Sequence, residues 1–141
     1  MDALFPFVEA FYKHFNYPYH ETEKRHALTQ LLQDPSAGRA YLILHGKPAG
    51  YVLLSFYFSL EYGGRTAIID ELFVDPTCRQ RGIGTQTLQL IETACDGLGV
   101  RALHLESERE NTRAIALYSK LGFLDLHRHL LTKRLPSKVY R

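Results

Sequence analysis

The chain is poor in the features that announce most classes of ligand. It holds only two cysteines, Cys78 and Cys95, and they make no metal-type pair. Its seven histidines are scattered without ligand spacing, so no metal site is expected. The formal net charge is only +2, and no basic stripe with interleaved aromatics appears, which argues against a nucleic-acid partner. The basic residues at the C-terminus, Lys133, Arg134, Lys138 and Arg141, read as a solvated end. No apolar run reaches the ~20 residues that cross a bilayer. Met1-Asp2-Ala3-Leu4 lacks the basic start and apolar stretch of a secretory signal. The expectation is a cytoplasmic protein with no membrane partner. No internal repeat, linker or low-complexity segment is visible.

What is present suits one globular domain spanning residues 1–141, with 45% of the chain apolar. Helical spacing of Leu4, Phe7, Val8 and Phe11 predicts a first helix between Asp2 and Phe15. Asn16-Tyr17-Pro18-Tyr19 breaks it, and a second helix runs from Glu21 to Gln33 before Asp34-Pro35. Three strands follow as a meander: Arg39 to His45, Gly50 to Leu60 and Thr66 to Val74, separated by glycine turns. Then come a helix from Ile83 to Leu98, a short strand from Leu103 to Glu106, a helix from about Asn111, and a last strand near Leu126 to Lys133. His127 and His129 would alternate onto one face of that strand. The class is α/β (α+β), in the order α-α-β-β-β-α-β-α-β. Because a helix joins the third and fourth strands, they should lie parallel.

The most informative stretch is Arg79-Gln80-Arg81-Gly82-Ile83-Gly84-Thr85. It follows the apolar strand and the turn Asp75-Pro76, and it opens the helix from Ile83. A glycine turn there bares backbone N–H groups at the positive end of a helix, a site made for phosphate. Two arginines add charge suited to a diphosphate. A Walker loop would need a lysine after its second glycine, and Gly84 is followed by Thr85-Gln86. A dinucleotide fingerprint would need a third glycine at Thr87. Both fail on the residues.

What remains, Arg79-x-x-Gly82-x-Gly84, resembles the coenzyme A pyrophosphate loop of the GCN5-related N-acetyltransferases (GNAT). Two further segments strengthen the likeness. Glu71-Leu72-Phe73-Val74-Asp75-Pro76 is similar to the strand that precedes the loop in that family. Asn111 to Phe123 is similar to its second cofactor segment, where an asparagine opens a helix, a tyrosine follows two turns later, and Gly-Phe closes it. The spacing is physically sound. Asn111 is a good N-cap, Asn111, Ile115 and Tyr118 share a helical face, and Gly122 suits a left-handed helix stop. The likeness covers roughly Ala40 to Phe123. It implies a mixed, mostly antiparallel central sheet flanked by helices, with the two parallel strands splayed apart. Acetyl-CoA would be the co-substrate, its pantetheine arm lying along the main chain of Leu72, Phe73 and Val74, and its diphosphate on Arg79 to Thr85. Asn111 and Tyr118 would complete the cofactor contacts.

Acetyl transfer from a thioester to an amine sets three demands. The amine must lose its proton, which for a lysine-like group costs about 4–5 kcal/mol at pH 7. Asp70, Glu71 and Glu106 are the candidate bases, and the first two, as strand neighbours, should point to opposite faces. Similarity to polyamine acetyltransferases favours Asp70, leaving Glu71 to orient the acceptor or pair with a loop arginine. The carbonyl oxygen needs a fixed donor, for which the N–H of Phe73 or Val74 is suited. The thiolate needs an acid, and the resemblance implies Tyr118. The acceptor would be a primary amine of a small molecule or a peptide. Phe15, Tyr17, Tyr19, His20, Tyr57, Phe58, Glu61 and Tyr62 could form a wall for its cation. A catalytically silent acyl-CoA-binding sensor is the rival reading, and it would need neither Tyr118 nor a placed carboxylate. The apolar run Val52 to Leu60 could meet a partner sheet in a homodimer.

Overall fold

The computed structural model describes residues 1–136. Lys138 and Arg141 lie outside the described residues. Contacts cluster in two compact units, Met1–Glu108 and Arg109–Arg141.

In the first unit α1 (Phe5–His14) and α2 (Glu21–Gln33) precede strands β1 (Gly38–His45), β2 (Lys47–Ser59) and β3 (Gly64–Val74). A 3-10 turn at Pro76–Cys78 leads into α3 (Ile83–Gly97), and β4 (Leu103–Leu105) follows. The four strands form one sheet in the order β1-β2-β3-β4. β1 and β3 run antiparallel to β2, and β4 runs parallel to β3.

The apolar spacing of α1 explains its seat. Phe5, Val8 and Phe11 recur on one stripe, and with Leu4 and Leu28 they pack on Tyr51 and Phe73, which project from one sheet face. Val52 and Leu54, their neighbours on β2, point to the other face and are 1% and 0% exposed. α3 packs against β3 and buries Ile83, Leu88, Ile91 and Cys95. Each leucine, isoleucine, valine or phenylalanine among these contributes about 1.5–3 kcal/mol on full burial. Gly50 is required where β2 meets β3, since a Cβ there would lie 2.0 Å from the Phe73 carbonyl oxygen. Of the run expected to meet a partner sheet, Val52 and Leu54 are core, and the exposed large residues are Tyr57, Phe58 and Leu60.

The second unit holds α4 (Thr112–Lys120). The strand expected near Leu126 to Lys133 is not formed among the described residues. His127 has φ 55, outside the range of a strand. Its N–H bonds the Asp125 carboxylate at 2.8 Å, so a side-chain turn replaces the ladder. His127 and His129 therefore do not share a strand face.

Candidate functional site

β3 changes character along its length. Its first part is paired on both sides, with β2 and, at Ala67 to Ile69, with β4 residues Leu103 to Leu105. β4 ends at Leu105, yet β3 runs on to Val74. Beyond Ile69, β2 is the only strand neighbour of β3 among the described residues, and the other edge of β3 has no ladder.

The direction of the main chain along that edge follows from its bonds. Asp75 donates to the Ala49 carbonyl at 2.7 Å, and the Phe73 carbonyl abuts Gly50. Both are turned to β2. Main-chain groups alternate along a strand, so Leu72 and Val74 are turned to the open edge. Of the three residues expected to offer backbone there, Phe73 is directed away. The Val74 carbonyl accepts from Arg79 Nε at 2.8 Å, and the Arg79 guanidinium lies over the Phe73 ring. The first loop arginine is therefore anchored to the strand that it follows.

Beyond it the chain enters α3 through two left-handed residues, Gln80 (φ 64) and Gly82 (φ 74). The first helical bond runs from Gln86 N to the Gly82 carbonyl, so the donors of Ile83, Gly84 and Thr85 precede it. Ile83 is buried, while Arg79, Gln80, Arg81 and Gly82 are exposed. A Cβ on Gly84 would meet nothing within 4 Å. The glycine is not needed by the fold itself, and the space over it is free for a group that approaches the backbone. An open strand edge ending beside three unspent helix donors fits an extended arm that carries a diphosphate.

A bulge places the carboxylates. Leu53 pairs with Glu71 and Leu54 pairs with Ile69, so Asp70 is the extra residue. Leu53 and Leu54 point to opposite faces, hence so do Glu71 and Ile69. The bulge interrupts the strict alternation on which the expectation of opposite faces for Asp70 and Glu71 rests. Both carboxylates act electrostatically on the hydroxyls of Tyr12 and Tyr51.

Their surroundings differ. Glu71 is buried, 9% exposed. Its Oε2 accepts from Tyr12 OH at 2.5 Å and its Oε1 from Tyr51 OH at 2.8 Å. Burial pushes its carboxyl up, and the two phenols oppose that shift. Both phenols are themselves raised, chiefly by burial and then by Glu71. Asp70 keeps an exposed side chain with no hydrogen-bond partner among the described residues. Partial desolvation raises its carboxyl too. Glu106 lies just past β4 and is exposed.

Tyr12 and Tyr51 escaped the sequence reasoning. Tyr12 follows Phe11 at the border of the apolar stripe, and Tyr51 falls in register with Leu53. A tyrosine inside a buried strand needs a partner for its hydroxyl, and that was the available signal. The residues expected to line an acceptor wall fall in two groups. Phe15, Tyr17 and Tyr19 gather around Phe11 and Tyr12, with Tyr17 OH donating to Glu108 at 2.9 Å. Tyr57 and Tyr62 instead pack on His104.

In the second unit Asn111 Oδ1 accepts from Ala114 N at 3.2 Å, capping α4. Gly122 has φ 96 and ends the helix as its position predicts. Tyr118 is half-buried, which raises its phenol, and its ring meets Phe123 edge-on at 6.1 Å.

Comparison with known proteins agrees with this geometry. The acetyltransferase (GNAT) family model matches residues 5–123. An uncharacterised N-acetyltransferase of Methanocaldococcus jannaschii is 32% identical over 128 residues, 86% of this chain and 57% of that protein. Thialysine N-epsilon-acetyltransferase of Bos taurus is 31% identical over 85 residues, 57% of this chain and 50% of that one. The chain thus spans about half the length of these curated relatives. Among solved structures, an integron cassette protein from the mobile metagenome of Cole Harbour Salt Marsh matches with TM-score 0.84 and 33% identity, covering 98% of this chain and 86% of that one. With the short β4 beside the longer β3 and the glycine-entered helix in place, the matched span makes the chain a member of the acetyltransferase (GNAT) family.

Proposed function

We propose that the chain is an acetyl-CoA-dependent N-acetyltransferase that moves an acetyl group directly to a primary amine of a small molecule or peptide. The observation that carries this is the end of the β3–β4 ladder at Ile69 and Leu105, five residues short of Val74, on the strand that leads through the Pro76–Cys78 turn to the glycine loop. The family model crosses the boundary between the two units, which supports reading residues 1–141 as one domain. A cytoplasmic setting is part of the proposal.

Each demand of the chemistry has a proposed residue. The α3 donors at Ile83, Gly84 and Thr85, with Arg79, Gln80, Arg81 and Gly82, hold the diphosphate. Leu72 and Val74 offer main-chain groups to the pantetheine arm, and the Val74 N–H is the donor suited to the developing oxyanion. Asp70 takes the amine proton, directly or through a water. Tyr118 returns a proton to the leaving thiolate. Its phenol, raised by burial, stays protonated at neutral pH, as an acid must. Asn111 braces the helix that carries it. A primary amine as acceptor is further supported by the likeness to the thialysine N-epsilon-acetyltransferase of Bos taurus.

Purified protein incubated with acetyl-CoA and a panel of amines, with free thiol followed, tests the reading. Amine-dependent thiol release is expected. Saturable binding of acetyl-CoA with no such release would replace the enzyme by a silent binding module.

A further inference from the structure

The β2–β3 hairpin outruns its neighbour. β1 begins at Gly38, opposite Ser55, whereas β2 continues to Ser59. The Phe56 N–H is turned to the β1 side, where it donates to the Ala37 carbonyl at 2.9 Å. Main-chain groups alternate along a strand, so the N–H and C=O of Phe58 face that same side, past the end of the ladder. The Phe58 side chain is 73% exposed. A cleft of about 200 Å³ opens there, lined by Ser36, Phe56, Tyr57, Phe58 and Arg65. Positive charge gathers at it. Arg39 stands across from Leu54 and Arg65 across from Phe58, which puts both arginines on the sheet face of Phe56. Their guanidinium carbons lie 5.4 and 4.9 Å from the Phe56 ring centroid. Arg39 is held there by the carbonyls of Pro35 and Gly38. Neither guanidinium forms an ion pair among the described residues. Asp34, two residues before Ser36, has its Oδ1 taken by the Ser36 N–H and hydroxyl.

We propose that this cleft docks an acidic protein segment in extended form, which adds to the open edge of β2 at Phe58 and sets a carboxylate on Arg39 and Arg65. Peptide addition to a sheet edge takes its affinity from main-chain bonds and its selectivity from side-chain pockets. Phe58 supplies the main-chain donor and acceptor. The arginines select the charge, since a guanidinium meets a carboxylate through two parallel N–H bonds while stacking on an aromatic face. Tyr57, Phe58 and Leu60 are exposed around the cleft, and arginine with aromatic neighbours is where interface energy concentrates. The cleft is smaller than the roughly 300 Å³ at which small-molecule pockets begin, so it suits one side chain of a longer partner. A second copy of the chain is a poor occupant. Paired edge to edge, it would bring its own arginines against these, like charge on like charge. Arg65 and Val74 lie near opposite ends of β3, roughly 30 Å apart along the strand. The docking site is therefore separate from the acetyl-transfer residues and does not depend on that reading.

The test is an NMR titration of the intact ¹⁵N-labelled protein with a terminally blocked peptide of alternating glutamate and threonine. The same peptide with glutamine for glutamate is the control. The Phe58 amide should shift and saturate with a Kd of about 1 mM or tighter. The control peptide should bind about tenfold more weakly, as should the glutamate peptide to Arg65→Gln or Arg39→Gln, each having lost a charge-assisted bond. If one of these variants does not fold, the other decides, and parent-like binding to a folded variant overturns the proposal. Phe58→Pro removes the outward N–H at the kind of edge position where proline is tolerated. Binding, followed then at the Arg65 side chain, should be lost, and retained binding overturns strand addition. No saturable shift, or equal binding of the two peptides, overturns the proposal. So does inorganic phosphate moving the same signals as tightly as the peptide, or a dimer of the protein alone that protects the Phe58 amide from exchange.

Discussion

The two helices that follow β3 and β4 are entered in opposite ways. α4 satisfies its own entrance, with Asn111 accepting from Ala114 N. α3 begins at Gly82, in the left-handed region at φ 74, with no side-chain cap. Neither helix has an acidic residue in its first turn. A side-chain cap is worth about 1 kcal/mol, so α3 forgoes a stabilisation that the same chain uses elsewhere. The donors it leaves unspent carry the positive end of the helix dipole. An entrance left uncapped, flanked by Arg79 and Arg81 and roofed by nothing over Gly84, is organised for an anion from outside. An entrance capped from within is organised for the helix alone. On the proposed reading α4 therefore contributes through Tyr118, two turns on, rather than through its start.

The largest effect that would break this contrast is at Tyr118. Tyr118→Phe keeps the ring and its contact with Phe123 but removes the hydroxyl. Turnover should fall by roughly two orders of magnitude, as for loss of a positioned acid, with acetyl-CoA affinity little changed. A rate within a factor of two or three of the parent, with thiol release followed on a working amine, would reduce Tyr118 to packing. Next in size is Gly84→Ala. Since the added methyl meets no protein atom, the helix should be unharmed or stabilised by up to ~1 kcal/mol. Acetyl-CoA affinity, measured by calorimetry, should drop at least tenfold. Stability and affinity moving in opposite directions is the signature of a glycine kept for a ligand. Unchanged affinity would show that the diphosphate does not lie there.

Much of this was legible in the sequence because it is local. Glu21 to Gln33 is helical to the residue, since acidic Glu21 and Glu23 suit its first turn and Asp34-Pro35 stops it. The glycine turn, the N-cap at Asn111 and the stop at Gly122 each depend on a few neighbouring residues. What escaped depends on pairing across distance. The bulge at Asp70 carries no glycine to betray it and exists only in the register with Leu53 and Leu54. The Tyr12–Glu71 bond joins residues 59 positions apart. The strand expected near Leu126 to Lys133 failed for the converse reason. Its alternation is local, but a strand requires a partner ladder, and Asp125 turns the chain at His127 instead. The direction of the Phe73 main chain likewise follows from β2 and from nothing in Leu72-Phe73-Val74 itself.

The smallest expected effect sharpens the contrast at α4. If Asn111 serves the helix, Asn111→Ala should cost about 1 kcal/mol of stability in a urea titration, and Asn111→Gly only a few tenths. Glycine takes cap geometry readily and leaves the Ala114 N–H open to water, whereas alanine does neither well. That ranking belongs to a cap. A residue that touched the cofactor through its amide would lose affinity equally in both variants, with no difference in stability between them. Acetyl-CoA affinity should follow the stability change at most modestly, in contrast with Gly84→Ala, where affinity falls while stability does not. Equal stability of the parent, the Ala variant and the Gly variant would show that the Asn111 side chain is merely solvated. The entrance of α4 would then be no better capped than that of α3, and the contrast between the two would lose its physical basis.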